Sequence, residues 1–165
     1  MIPEAGFIFS IAGLSASFAG LAGLVMALRR GSEVRPIDSF RLRQMVEFSF
    51  ANIILSISVL PLADLLGSGQ EAARWDALVV AVYTLAINVL FARRVRKAGL
   101  HWGGWWAISA LGVNVTAVII AGIVIATGSF GAFEVMLVVL LIRPMIPFLL
   151  VLESWETETH RPKPG

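Results

Sequence analysis

The chain has 165 residues, of which 58% are hydrophobic and 15% charged, with no cysteine and a formal net charge of +2. A soluble domain carries about 25% charged residues, so this composition belongs with membrane proteins, and the length suits one bundle. The missing cysteines exclude disulfides, thiolate metal sites, iron–sulfur clusters and cysteine nucleophiles together.

A helix needs about 20 apolar residues to cross the hydrocarbon core. The first such run covers residues 6–28 without a charge. It is not a cleavable signal, because the arginines follow the apolar run and no basic segment precedes it. Ala16, Gly20, Gly23 and Ala27 fall at helical spacing in it, with Gly13 and Ser17 alongside. Small residues let membrane helices approach closely. A helix of the same chain is the expected partner, with a subunit interface as the alternative.

The joint that follows holds Pro36, then Asp38 and Ser39 as expected N-caps, and residues 40–45 lead straight into the second span, about 46–66. On that span Ser49, Asn52 and Ser56 make an i, i+3, i+7 stripe that should face the bundle interior. A GSGQ turn then precedes the third span, about 75–92, which carries Asn88. The fourth, 105–127, carries Asn114 within a second small-residue series, Ala110, Ala117 and Ala121. A joint centred on Gly128, Ser129 and Gly131 is so short that the fourth and fifth spans should be antiparallel.

The fifth span, about 133–152, contains Arg143 near its middle, followed by Pro144 and Pro147. An arginine at a helix centre opposes insertion by ~2.5–3.5 kcal/mol. Sixteen of the 20 residues are Val, Leu, Ile, Met or Phe, at roughly −0.3 to −0.6 kcal/mol for the best of them, so the segment should insert. Each proline removes an amide donor, so the carbonyls of Leu140 and Arg143 lose their helical partners. The fifth helix is expected to be broken or kinked there, with a re-entrant hairpin as the alternative.

Charge orients the chain. Arg29, Arg30, Arg35, Arg41 and Arg43 lie in the first joint, Arg93, Arg94, Arg96 and Lys97 in the third, and Arg161 and Lys163 in the tail. Arg74 alone lies in an opposite joint. By the positive-inside rule, five crossings put the N-terminus outside and the C-terminus in the cytoplasm. Trp102, Trp105, Trp106 and Trp155 form an inner aromatic belt, with Trp75 at the outer face. The expected architecture is an all-α, five-span bundle over residues 1–155 with a cytoplasmic tail, 156–165, in a bacterial inner membrane. Arg29, Arg30, Arg93 and Arg94 also resemble segments that hold anionic lipid head groups. Neither run is long enough to indicate nucleic-acid binding in preference to topology.

Intramembrane polar groups face protein or water. Arg143, Asn114 and Asn52 fall in one layer by distance from the inner boundary, with Asn88 about one turn nearer the cytoplasm. Arg143 has two readings: it holds an anion or carboxylate beside a pathway, or it closes the first half of the fifth helix and satisfies the freed carbonyls. Hydrogen-bonded helix contacts are the plain role for the asparagines. Glu47 sits too near the inner boundary for an easy pair with Arg143, so Arg41, Arg43 or an arginine of the third joint is its expected partner. Asp64, Asp76 and Glu134 line the outer edge, either as an acidic rim that concentrates cations or, for the last two, as helix-opening carboxylates.

His101 and His160 lie in cytoplasmic segments, which excludes intramembrane haem ligation, and no helix carries a lysine for a Schiff base. No P-loop, HExxH or GxSxG occurs. No cofactor, metal site or catalytic residue is expected. The first functional expectation is a non-enzymatic accessory or interaction subunit of a membrane assembly, homo-oligomeric or larger. The second is a small oligomeric channel or transporter lined by the Arg143 break.

Overall fold

The computed structural model describes residues 5–28, 36–97 and 105–159. They form five helices: α1 (Ala5–Leu28), α2 (Pro36–Leu66), α3 (Gly69–Lys97), α4 (Trp105–Thr127) and α5 (Phe130–Thr159). Each contains a stretch long and apolar enough to cross a membrane, respectively Ala5–Ala27, Ile37–Leu66, Gly69–Leu90, Ser109–Thr127 and Phe130–Ser154.

Two helices start earlier than expected, each for a local reason. Pro36 is the first residue of α2, a position where its missing amide costs nothing and its fixed φ helps. Asp38 therefore lies inside the first turn and is not the N-cap; it is buried and pairs with Arg41 at 3.2 Å. Ser68 precedes α3, and its hydroxyl accepts the Glu71 amide at 3.4 Å, the Ser-x-x-Glu spacing of a capping box. Asp76 consequently sits in the third turn of α3 and does not open it. Glu134 likewise follows the first turn of α5, which Ser129 caps by accepting the Ala132 amide at 3.3 Å.

The turns after α2 and α4 each need a left-handed residue. Gly67 has φ 65° and Gly128 φ 68°. The Gly128 amide donates to the Val124 carbonyl at 2.7 Å, closing α4 with an αL cap. The α5 helix continues through both prolines as one element, in place of the two halves of a re-entrant hairpin.

Helices α2 and α5 pack together at the centre. On one side α1 lies against both, and on the other α3 packs on α2 and α4, with α4 also against α5. Two apolar clusters result. The larger gathers Val59, Val80, Ala121, Val124, Phe133 and Leu137 near the α2–α3 and α4–α5 turns. The smaller gathers Ala22, Val25, Leu42, Met45 and Val151 near the arginine-rich end.

The small-residue series of α1 faces away from all of this. Gly13, Ala16, Ser17, Gly20, Gly23 and Ala27 are exposed, while Ile8, Ile11, Ala12, Ser15, Ala22 and Val25 are buried on the opposite side. A Cβ built at Gly13, Gly20 or Gly23 meets nothing within 4 Å. The expected packing inside the chain is thus made by large and mixed residues of α1, and its small face is left open. On α4 the corresponding series turns inward, with Ala117 and Ala121 fully buried.

Candidate functional site

The bundle is apolar on its outside as well as in its core, and several polar groups are buried within it. Ser15, Ser49, Asn52, Ser56, Asp76, Thr84 and Arg143 are buried, whereas Phe9, Leu14, Ile54, Leu65, Val82 and Ile119 are exposed. In water that arrangement is unfavourable, because each exposed side chain would forfeit about 1.5–3 kcal/mol of burial. In a bilayer the lipid tails solvate the outer residues, and the polar groups must find partners in the protein. The five long apolar helices and this apolar exterior define a multi-pass helical membrane protein.

Ser15, Ser49, Asn52 and Arg143 fall along their helices between residues of the two apolar clusters. The Asn52 amide donates to the Leu140 carbonyl at 2.9 Å. That carbonyl is the one Pro144 deprives of its helical donor, so α2 supplies from outside what α5 lacks. Arg143 is thereby released from the structural duty expected of it toward Leu140. Its Nη2 donates to Thr84 Oγ1 on α3 at 2.7 Å, and its Nε is buried without a partner. Among the described residues no carboxylate forms an ion pair with Arg143. Tyr83, half-buried on α3, lies close enough to interact electrostatically with it.

The remaining intramembrane residues fall elsewhere. Asn114 Nδ2 donates to Asn88 Oδ1 at 2.7 Å, so these two meet directly between α3 and α4, at one level and apart from the Asn52–Leu140 contact. Glu47 accepts from Arg43 Nε at 2.9 Å, one turn away on α2, in line with the expected arginine partner. Arg41, next to it, donates to the Leu150 carbonyl at 3.2 Å and ties the start of α2 to α5.

At the opposite end the three acidic residues do not converge. Asp64 is exposed, Glu134 is half-buried, and Asp76 is buried, accepting from the Ser58 hydroxyl on α2 at 2.5 Å. Glu71 pairs with Arg74 at 2.7 Å, placing a cation at the same edge. Trp75 is exposed there. Arg93 is exposed at the basic end. The expected lipid contacts at Arg29 and Arg30, the belt residue Trp102, His101, and the tail from His160 onward lie outside the described residues, as do the side chains of Arg94, Trp105, Trp106 and Trp155.

Two residues of the polar interior escape the sequence reading: Thr84, which accepts from Arg143, and Ser58, which donates to Asp76. Thr84 has a weak signal, since Asp76, Val80, Thr84 and Asn88 recur every four residues along α3. Among the described residues no three His, Asp or Glu side chains gather as metal ligands. No family model, curated protein or solved structure matches the chain. The functional reading therefore rests on this geometry.

Proposed function

We propose that the chain is a non-enzymatic accessory or interaction subunit of a membrane assembly. It is inserted with its N-terminus outside and its C-terminus in the cytoplasm, in a bacterial inner membrane. The observation that carries this reading is the open small-residue face of α1, where a Cβ built at Gly13, Gly20 or Gly23 meets nothing within 4 Å and the Ser17 hydroxyl is already bonded to the Gly13 carbonyl at 3.0 Å. A face of this kind allows a second transmembrane helix to approach to backbone contact, and it presents no unmet polar group to lipid while it waits. The occupant is a transmembrane helix of another subunit.

The transport reading receives less support, because the polar residues that would line a route are separated: Asp64 is on the outside surface and Asn114 is paired with Asn88. The test is the mass of the protein after mild detergent extraction, compared between the native chain, Gly20→Leu and Leu21→Ala. The native chain and Leu21→Ala should run as a complex, and Gly20→Leu should run as a smaller species with unchanged helicity. A native chain that extracts only as a monomer would refute the interaction reading.

A further inference from the structure

We propose that Asp76 is a reversible proton-binding site, with the Ser58 hydroxyl as the group that reverses its hydrogen bond when the proton arrives. Ser58 Oγ lies 2.5 Å from Asp76 Oδ1 on α3 and 3.1 Å from the Leu55 carbonyl, one turn back on α2. A hydroxyl has a single hydrogen and two lone pairs, so it serves one of these acceptors fully at a time. With Asp76 ionised, the hydrogen goes to the carboxylate and the Leu55 carbonyl is passed over. With a proton taken up on Oδ1, Asp76 becomes the donor, and Ser58 accepts from it while turning its own hydrogen to Leu55. Both contacts are then made, and no heavy atom has to move. The proton comes from water, and the carboxyl goes from one negative charge to none. The site lies seven residues from the start of α3, about 10 Å along the helix axis, so water at the α2–α3 turn is the source.

Among the described residues nothing else meets this carboxyl. Asp76 is 2% exposed, and its Oδ2 is buried without a partner. Ala72, Ala73, Ala77 and Val80, on either side of it along α3, are fully buried in the larger apolar cluster. An ionised carboxylate there has one donor for two oxygens, and a buried charge left uncompensated is costly. No cation compensates it. On α3, Arg74 pairs with Glu71 at 2.7 Å, and residues two apart do not face each other on a helix. Tyr83 stands seven residues further along α3. On α2, Asp64 is exposed at the near end, while Asp38 pairs with Arg41 and Glu47 with Arg43 at the far end. On α5, Glu134 is a further carboxylate, and Arg143 donates to Thr84, eight residues along α3 from Asp76. The α4 sequence carries no titratable residue. This site does not depend on the association through α1, and it is tested on the isolated protein.

The experiment is infrared difference spectroscopy of the full chain in lipid vesicles, titrated from about pH 4, where an ordinary aspartate is half protonated, to about pH 9. The C=O stretch of a protonated carboxyl, identified by its shift in heavy water, reports proton uptake. The native chain should show such a band that disappears as the pH rises and that is missing from Asp76→Asn. Ser58→Ala removes the donor to the ionised form and should move the titration midpoint up by about half to one pH unit, because hydrogen bonds to charged groups are the stronger ones. Ser58→Thr keeps the hydroxyl and should restore the native midpoint. Spectra of the native chain and Asp76→Asn that coincide throughout the range overturn the proposal, as does a band that persists at every pH. So does a midpoint that Ser58→Ala leaves unchanged or lowers. That variant is compared with the native chain alone, and it decides the matter even if Asp76→Asn fails to fold.

Discussion

Replacing Asn52 by alanine should destabilise the protein by an amount that depends on whether Pro144 is present. The Asn52 amide bonds the Leu140 carbonyl at 2.9 Å, and the two residues are 2% and 0% exposed, so no solvent can take over the bond. Hydrogen bonds between membrane helices average about 0.6 kcal/mol and reach about 1.7 kcal/mol. A buried carbonyl left unmet costs about 1–3 kcal/mol. The two ranges overlap at about 1–1.7 kcal/mol, which is the loss expected for Asn52→Ala. With Pro144→Ala in place, an amide at that position can bond the Leu140 carbonyl within α5, and the same substitution should cost below about 0.7 kcal/mol. The small cavity left by the truncated side chain is common to both backgrounds and cancels in the cycle. The assay is reversible unfolding of the four proteins in mixed micelles, titrated with a denaturing detergent. Equal losses with and without Pro144, within about 0.3 kcal/mol, would refute the idea that α2 completes the backbone of α5.

Reporter fusions after Gly165 or within residues 99–101 should read cytoplasmic and one at Ser68 external; a C-terminal fusion reading external would overturn the five-span orientation. Gly128→Ala should cost about 1–2 kcal/mol in the same unfolding assay, because φ 68° is left-handed and Arg74 Nε stands 3.0 Å from the added Cβ. No loss there would mean that the α4–α5 turn is free to rearrange. Ser58→Ala should cost about 1.5–3 kcal/mol, since it strips Asp76 of its hydroxyl donor inside the bundle, and an unchanged midpoint would show that another group serves that carboxylate. Arg43→Ala, by contrast, should leave unfolding unchanged, because the Arg43 side chain is 73% exposed in its pair with Glu47.

The five spans were legible in the residues because the bilayer imposes a length and a polarity that no tertiary contact can override. Positions 6–28 read as a span without knowledge of any neighbour, and α1 runs Ala5–Leu28. The same holds for the stripe Ser49, Asn52 and Ser56, whose inward orientation follows from the cost of polar groups in lipid, and all three are buried. Helix starts were less legible, as at Trp75, because hydropathy marks where a helix enters lipid and caps such as Ser68 mark where it begins.

What the residues could not decide is which helix lies beside which. The freed Leu140 carbonyl is visible in the string Arg143-Pro144, but Arg143, an asparagine and a hydroxyl are equally able to serve it. Only the packing of α2 on α5 gives it to Asn52 and sends Arg143 to Thr84 on α3. The two small-residue series show the same limit. Their spacing is alike on α1 and α4, yet one faces out and the other in. Close packing in lipid is driven by contact with whatever helix is adjacent. Spacing along one helix therefore says that a close approach is possible, and the arrangement of all five decides whether it is made within the chain or left for a partner.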